Sequence, residues 1–330
     1  MILRDPVEAA PLVAARLAQA ETVLLLTHLN PDGDAIGSLL AAWHAVHSLG
    51  KQAIMVAYPS LPAYTGWLPG VEQIMLYRRG DALPAADMVL MLDTANLERL
   101  GPIYDEHRAT LANLPLVIVD HHMTNDGGAS LNIIDSTAAS TCELLYALLH
   151  AMQVPITPAC ASCLLLGLTT DTQSFQTSAT SAVSLRTAAM LYDLGADRSS
   201  VVREVYYALP ASSAALIGMA LAGLQYDQYI AWVTVTNAMM AASGAEDEAA
   251  DEVVRVMQRI AGIGACVLFK ERGDGTTKLS LRSRPPHNVA HFAQQWGGGG
   301  HAQAAGATLQ LVPAAAEQIV VPLLRAMVAG

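Results

Sequence analysis

The sequence predicts an α/β protein with a doubly wound parallel-sheet domain and a smaller mixed-sheet α/β domain, joined by a helical connector. The chain has 330 residues, of which 53% are hydrophobic, and this length favours two domains that each bury a core. In the first half, continuous apolar runs alternate with helical patterns, which is typical of a parallel sheet covered on both faces. Strand-like runs resume only after a long helical stretch.

The first half begins as a helix, a strand and a second helix. Asp5 followed by Pro6 is typical of a helix N-terminus, and Gly50 is typical of the residue after a helix end. The loop between the strand and the second helix is polar and contains Pro31 and Gly33. The predicted elements are helices at 5–20 and 34–49 and buried strands at 22–28, 53–57, 88–92 and 115–119.

The second half begins with helices. The pattern is almost wholly helical from about 138 to 224, with breaks at Pro158, Gly195 and Pro210. Strands are then predicted at 228–235, 264–270 and 277–283, with a helix at 246–260. We expect a first domain at 1–190, a helical connector at 191–215 and a second domain at 216–330.

Charge is divided unevenly along the chain. The net charge of −11 argues against a protein that coats long nucleic acid. Residues 1–214 contain 10 basic and 20 acidic side chains, whereas residues 215–330 contain 8 and 9. This difference predicts that the acidic first half binds cations and that the near-neutral second half has a different role.

Several features predict a cytoplasmic protein with reduced thiols. No uncharged apolar run reaches the roughly 18 residues that a membrane-spanning helix needs. Asp5, Pro6 and Glu8 stand where a signal peptide would need its apolar region. Cys160 and Cys163 form one CxxC without a second ligand pair, so we interpret them as small residues in helix packing instead of a metal or redox site.

Histidines and aspartates follow three of the predicted strands. Parallel strands end at one edge of a sheet, where open α/β sheets bind ligands. A further aspartate lies in GLTTDTQSF, after an apolar helical stretch. The residues are His28, Asp32 and Asp34 in the loop HLNPDGD, Asp93 after the strand at 88–92, Asp120, His121 and His122 after the strand at 115–119, and Asp171.

Each of these motifs alone has an ordinary interpretation. An Asp-Gly-Asp sequence is usually a turn, and a His-His pair is usually on the surface. Together, however, so many carboxylates at one crevice would repel each other unless cations neutralised them. Mixed imidazole and carboxylate donors suit manganese best, with iron, cobalt, zinc and magnesium as alternatives. The donors are too many for one open catalytic ion and fit two ions bridged by a shared carboxylate.

The motifs also resemble a known family. HLNPDGD, LDTA (92–95), VDHH (119–122) and TTD (169–171) are similar to the four motifs of the DHH phosphoesterases. LRSR (281–284) and GGGGHAQAAG (297–306) resemble the arginine element and glycine-rich signature of the DHH-associated domain. The two-domain length resembles the branch of bacterial oligoribonucleases that are also 3′-phosphoadenosine 5′-phosphate phosphatases.

The resemblance implies a role for each residue at the sheet edge. His28, Asp32 and Asp93 would hold one divalent ion, and Asp34, Asp93, His121 and Asp171 would hold the other. Asp93 would therefore bridge both ions. His122 would contact the scissile phosphate with Asn30 nearby, and Asp120 would orient a histidine.

The C-terminal motifs have two interpretations. The glycines could form only a helix C-cap and turn, and the arginines could stand at an exposed strand end. The resemblance instead implies that Gly298, Gly299 and Gly300 let backbone N–H groups approach a phosphate, while Arg282, Arg284 and His301 supply donors and charge. The chain departs from the family pattern at Ala302, often Lys in relatives, and at Asn288, often Asp.

These expectations define a function. We expect a two-metal hydrolase that degrades short oligoribonucleotides to mononucleotides and dephosphorylates 3′-phosphoadenosine 5′-phosphate, with manganese as the metal. Its partners would be short single strands and small nucleotide phosphates, not long duplexes or membranes, and a homodimer is left open. The alternatives are a cyclic or linear dinucleotide phosphodiesterase, a manganese inorganic pyrophosphatase and a nucleotide-binding regulator without turnover.

Overall fold

The structure, a computed structural model, describes residues 1–330, apart from the side chain of His301. The chain forms two compact units, Met1–Ala208 and Leu209–Gly330. The boundary lies inside the segment 191–215, because Val201 packs in a core of the first unit and Leu216 packs in a core of the second.

The first unit contains a sheet of seven strands in the order β1-β7-β6-β5-β2-β3-β4. Every neighbouring pair in this sheet is parallel. The strands are β1 (Ile2–Leu3), β2 (Thr22–Thr27), β3 (Gln52–Ala57), β4 (Met75–Leu76), β5 (Met88–Leu92), β6 (Leu116–Asp120) and β7 (Leu131–Ile134).

Helices cover both faces of this sheet. In β2, Val23 and Leu25 pack into one core, and Leu24 and Leu26 pack into a second core on the opposite face. All four side chains are fully buried, so the predicted doubly wound sheet is confirmed. The helices are α1 (Pro6–Gln19), α2 (Gly33–Ser48), α3 (Pro102–Ala112), α4 (Thr141–Ala151), α5 (Pro158–Asp171), α6 (Ala182–Asp193) and α7 (Arg198–Tyr206).

Three strands of the first sheet were absent from the prediction. β1 and β4 have two residues each and β7 has four, which is too short for a period to be visible. β1 lies beside β7 with Ile2 opposite Asn132, so this edge depends on a contact between distant parts of the chain. These strands were not predicted because a local sequence pattern does not show which distant segments will pair.

The second unit contains a mixed sheet of six strands in the order β12-β13-β11-β10-β9-β8. Only β9 and β10 are parallel, and the other pairs are antiparallel. This confirms the predicted mixed sheet. The strands are β8 (Gln225–Tyr226), β9 (Ile230–Val235), β10 (Ala265–Glu271), β11 (Thr277–Ser283), β12 (Gly299–His301) and β13 (Ala304–Leu309).

The helices of the second unit differ in part from the prediction. The helix predicted at 246–260 is shorter in the structure, and the helix before it was missed because it has only seven residues and is capped by Gly244. None of the described helices is long and apolar enough to span a bilayer by itself, and only Arg198–Tyr206 and Ala211–Ala222 taken together have the required length and composition. The helices are α8 (Ala211–Ala222), α9 (Asn237–Ser243), α10 (Ala249–Met257), α11 (Val289–Gln294) and α12 (Pro313–Ala329).

Candidate metal centre

Three neighbouring strands of the first sheet end at the same edge. β6, β5 and β2 are adjacent and parallel. His28 follows β2, Asp93 follows β5, and Asp120 is the last residue of β6. The structure therefore gathers polar side chains from three strand ends at the edge where open α/β sheets bind ligands.

The loop after β2 and the first turn of α2 place the carboxylates of Asp32 and Asp34 at this edge. Asp32 caps α2, and its Oδ1 accepts hydrogen bonds from the backbone N–H groups of Asp34 (3.0 Å) and Ala35 (3.1 Å). Asp34 consequently lies in the first turn of α2 and is fully buried. Asn30 (φ 56°) and Asp93 (φ 55°) adopt left-handed conformations, which cost energy and often occur at functional sites. Asn30 is exposed.

The six predicted ligands lie close together. His28, Asp32 and Asp93 offer ligand atoms within 4.8 Å of one another, and so do Asp34, His121 and Asp171. Asp93 faces both groups, because its Oδ2 is 3.5 Å from Nε2 of His28 and its Oδ1 is 3.6 Å from Nε2 of His121. The same Nε2 of His121 is 3.2 Å from Oδ2 of Asp171.

Charge is concentrated in this buried cluster. Burial, together with the charges of Asp93 and Asp171, raises the pKa of Asp34 well above its usual value. Burial likewise raises the pKa of Asp171 to about 6. Burial alone would lower the pKa of His121, but the hydrogen bond and charge of Asp171 raise it. Without cations, protons must therefore neutralise part of the cluster.

The histidine orientations fit metal binding as well. Nδ1 of His28 lies 2.8 Å from the carbonyl oxygen of Leu29, and Nδ1 of His121 lies 3.4 Å from that of Ala138. Donation from Nδ1 to a carbonyl leaves Nε2 with its lone pair directed at the carboxylates, which is the usual arrangement of metal-binding histidines. The donor set therefore fits two divalent cations with one carboxylate between them.

His122 belongs to a hydrogen-bond chain beside the cluster. Its Nδ1 is 2.7 Å from Oδ1 of Asp120, while Oδ2 of Asp120 accepts a 2.6 Å hydrogen bond from Nδ2 of Asn125. Asn125 also donates to the carbonyl oxygen of Thr94. Both oxygens of the buried Asp120 are thus engaged, one by His122 and one by Asn125, and the predicted role of Asp120 in orienting a histidine stays a prediction. Asn125 was not predicted, because nothing in its local sequence marks it.

The N-terminus of α4 binds two of the aspartates. The Thr141 backbone N–H donates to Asp34 Oδ2 (2.6 Å), and that of Cys142 donates to Asp34 Oδ1 (3.0 Å). The Thr141 hydroxyl donates to Asp93 Oδ1 (2.9 Å). Ser140 caps the helix by accepting from Glu143 N–H. The Ser–x–x–Glu spacing at 140–143 is a helix-start signal, but it does not predict the contacts of this helix with the two aspartates.

Small residues let α5 approach the cluster. A Cβ at Gly167 would stand 2.6 Å from Asp34 Oδ1 and would also collide with Cys142 Sγ. A Cβ at Gly37 would stand 2.6 Å from the carbonyl oxygen of Cys163. Cys160 and Cys163 are buried in the core of the first unit, where the packing interpretation placed them.

Gly167→Ala should destabilise the first unit and displace Asp34. Overpacking of this kind costs about 1–3 kcal/mol of the free energy of unfolding. Urea unfolding of the metal-free protein measures the loss, and manganese titration measures the displacement. The matched control is Gly218→Ala, at an exposed position of α8 where no atom lies within 4 Å of the added Cβ. Equal stability of the two variants would contradict the packing assignment.

The two predicted arginines of the second unit have different surroundings. Arg282, on β11, is half-buried, and burial lowers the pKa of its guanidinium. It donates to the carbonyl oxygen of Leu281, and no carboxylate among the described residues accepts a hydrogen bond from it. Nη2 of Arg284 donates to the carbonyl oxygens of Gln258 and Ile260, just after α10, at 3.0 Å each. The substrate role of both arginines stays a prediction.

The glycines after α11 have different surroundings, because some pack closely against β13 and one has no neighbouring atoms where a side chain would stand. A Cβ at Gly298 or Gly300 would collide with β13. Gly297 has φ 67° and follows the helix end, so a C-cap is present. Gly299 has no atom within 4 Å of an added Cβ. The predicted His301 contact lies outside the described side chains, and the phosphate role of Gly298, Gly299 and Gly300 stays a prediction.

Known proteins resemble this chain over most of its length. It is 31% identical over 300 residues to the bifunctional oligoribonuclease and PAP phosphatase NrnA of Thermus thermophilus, covering 91% of this chain and 88% of that protein. The crystal structure of an exopolyphosphatase-related protein from Bacteroides fragilis superposes with a TM-score of 0.89 at 23% identity, covering 97% and 96%. RecJ of Thermus thermophilus in complex with Mn²⁺ has a TM-score of 0.53 at 14% identity, covering 98% of this chain and 54% of that one.

The fold and the cluster define the class of protein. A doubly wound sheet that gathers histidines and aspartates at its strand ends, followed by a mixed-sheet unit, is a divalent-metal-dependent phosphoesterase. Residues 22–168 match the N-terminal domain of the DHH family, and residues 232–326 match the DHHA1 domain. The chain belongs to the DHH family and is a hydrolase of phosphate esters, as the sequence motifs predicted.

Proposed function

We propose that the chain uses two manganese ions to hydrolyse short oligoribonucleotides to mononucleotides and to remove the 3′-phosphate of 3′-phosphoadenosine 5′-phosphate. The similarity to the Thermus NrnA protein supports this substrate class. The mixed imidazole and carboxylate donors support manganese. The net charge of −11 favours short substrates over long duplexes, which would lose affinity through repulsion.

The position of Asp93 is the observation on which the proposal depends. Each of its oxygens faces a different group of ligands, with His28 on one side and His121 on the other. We therefore assign His28, Asp32 and Asp93 to one ion and Asp34, Asp93, His121 and Asp171 to the other. When bound, the two ions neutralise the carboxylates, polarise phosphoryl oxygens and lower the pKa of water at the site.

His122 is proposed to stabilise the phosphoryl group as its charge develops. Asp120 accepts from the Nδ1 side of the ring, which directs Nε2 away from the carboxylate. In the doubly protonated ring, Nε2–H donates to a non-bridging oxygen of the scissile phosphate. Asn30, in its exposed left-handed position, is proposed as a second contact to this phosphate.

The second unit is proposed to bind further phosphates. Arg282 supports this role, because a half-buried guanidinium that donates to no carboxylate among the described residues is suited to an anionic ligand. The backbone around Gly299 supports it too, since a ligand could approach there without a side chain in the way. Arg284 is the weaker candidate, because it already donates to two carbonyl oxygens.

Phe175 supports a substrate that contains a base. Of the three phenylalanines in the chain, Phe269 and Phe292 are in the core of the second unit. Phe175 is half-buried and belongs to no core cluster among the described residues. It ends a run of three left-handed residues that begins two positions after Asp171, with φ values of 47°, 57° and 65° at residues 173–175. Inorganic pyrophosphate has no base that could stack on this aromatic ring.

Phe175→Ala should raise KM for a dinucleotide with little change in kcat. Base–aromatic stacking is worth about 1–3 kcal/mol, so the expected increase is roughly 5- to 150-fold. Hydrolysis of an abasic dinucleotide should be unaffected. Phe175→Trp should preserve KM, and Tyr207→Ala, which removes an aromatic ring that is 80% exposed, is the control. An equal loss on the abasic substrate would contradict a stacking role.

The decisive assay compares substrates in manganese buffer. Labelled RNAs from dinucleotides to long oligomers are offered beside 3′-phosphoadenosine 5′-phosphate, a cyclic dinucleotide and pyrophosphate. We expect mononucleotide products, fastest release from the shortest RNAs and free phosphate from the adenosine bisphosphate. A preference for the cyclic dinucleotide or for pyrophosphate would replace the proposal with one of the alternative enzymes. Binding without turnover would indicate a regulator.

A further inference from the structure

We propose that Thr141 is a positioning residue for one of the two metal ions, the one assigned to Asp34, Asp93, His121 and Asp171. Thr141 is completely buried at the start of α4. The inference rests on the proposed two-metal function, but it concerns how strongly each ion is bound, which can be measured without substrate.

Thr141 contacts two different metal-binding aspartates. Its backbone N–H donates to Asp34 Oδ2, and its hydroxyl donates to Asp93 Oδ1. These are two of the three carboxylate oxygens that face Nε2 of His121, at 4.0 Å and 3.6 Å, and the third belongs to Asp171. One residue therefore sets the spacing of two oxygens that converge on the same ion.

The helix behind Thr141 fixes this arrangement. α4 has 11 residues, is capped by Ser140, and directs its first N–H groups at the Asp34 carboxylate. A helix N-terminus favours a negative charge, so the start of α4 offsets part of the cost of burying the Asp34 carboxylate. Because each oxygen of Asp34 accepts a different N–H, the carboxylate is held in one orientation with Oδ2 towards His121.

The other ion has no such support from Thr141. Asp93 faces His28 through Oδ2, whereas the Thr141 hydroxyl binds Oδ1. Asp32, the remaining ligand of that ion, is held by N–H groups of its own helix at Asp34 and Ala35. Removing the Thr141 hydroxyl should therefore weaken one metal site and spare the other.

The test is manganese titration of the metal-free full chain, followed by calorimetry and by electron paramagnetic resonance. The wild type should bind two equivalents and show the signal of a coupled manganese pair. Thr141→Val keeps the N–H and the shape but loses the hydroxyl. It should bind one equivalent normally and the other at least about 10-fold more weakly, since the lost hydrogen bond is to a charged group. Excess manganese should restore the coupled signal.

Two further variants separate positioning from general structure. Thr141→Ser restores the hydroxyl and should recover both affinities. Thr137→Val removes a comparable threonine–aspartate hydrogen bond, to Asp135, just before the same helix and should change neither affinity. Equal weakening of both ions in Thr141→Val, or failure of Thr141→Ser to recover, would overturn the inference.

The result is independent of the substrate proposal. If Thr141→Val weakens one ion selectively but the wild type cleaves no oligonucleotide, the proposed substrate class fails and the positioning role stands. If the wild type cleaves dinucleotides and Thr141→Val binds both ions normally, the positioning role fails and the proposed function stands. If the wild type binds no manganese pair, the two-metal assignment and this inference fail together.

Discussion

Asp93→Asn should reduce turnover of short oligonucleotides to below about 1% of wild type while the fold is preserved, because a two-metal site depends on the carboxylate that both ions share. Asp93 is buried and is the one predicted ligand whose two oxygens face different groups. The amide retains the shape and can still accept the Thr141 hydrogen bond. It loses the negative charge and one acceptor oxygen.

The measurement combines metal content, circular dichroism and rate. A folded variant that binds fewer than two manganese ions and hydrolyses neither RNA nor the adenosine bisphosphate fits the assignment. Asp126→Asn is the control, because this exposed aspartate lies outside the three groups of potential metal ligands but in the loop after β6 that contains His121 and His122. If metal-loaded Asp93→Asn keeps more than a few per cent of activity, Asp93 does not bridge two ions.

The first sheet shows which parts of a fold are visible in a sequence. β2, β5 and β6 are apolar on both faces and are followed by polar residues, so their existence and parallel arrangement could be predicted. The edge strands β1 and β4 have no such signature, because pairing with a neighbour defines them rather than an internal period. Burial on two faces leaves a pattern in the sequence, and edge pairing does not.

The same distinction applies to the candidate site. The ligand types could be predicted because each lies in a recognisable motif at the end of a strand or helix. Thr141 could not, because its partners Asp34 and Asp93 are 107 and 48 residues away and the contacts exist only once α4 packs beside α2. In LRSR, nothing local distinguishes Arg282 from Arg284, although only Arg284 donates to carbonyl oxygens beyond α10.

His122→Ala should lose about 10²–10³-fold in kcat while retaining both manganese ions, because removing one preorganised donor to a developing charge costs that much. The hydrogen bond between Asp120 and Nδ1 of His122 is 2.7 Å long, and Asn125 holds the other oxygen of Asp120. The ring is thus preorganised before substrate binds. Asn125→Ala should loosen this orientation and lower kcat by a smaller factor, again with two ions bound.

Metal content decides between two roles for His122. His122, His121 and Asp93 offer ligand atoms within 4.8 Å of one another, so His122 has the geometry of a ligand as well as that of a phosphate contact. As a phosphate contact it would affect kcat and leave the stoichiometry at two. Loss of one manganese equivalent in His122→Ala, with activity restored by excess manganese, would instead make His122 a ligand. Asp120 would then orient a metal-binding histidine, and phosphate stabilisation would have to come from another residue.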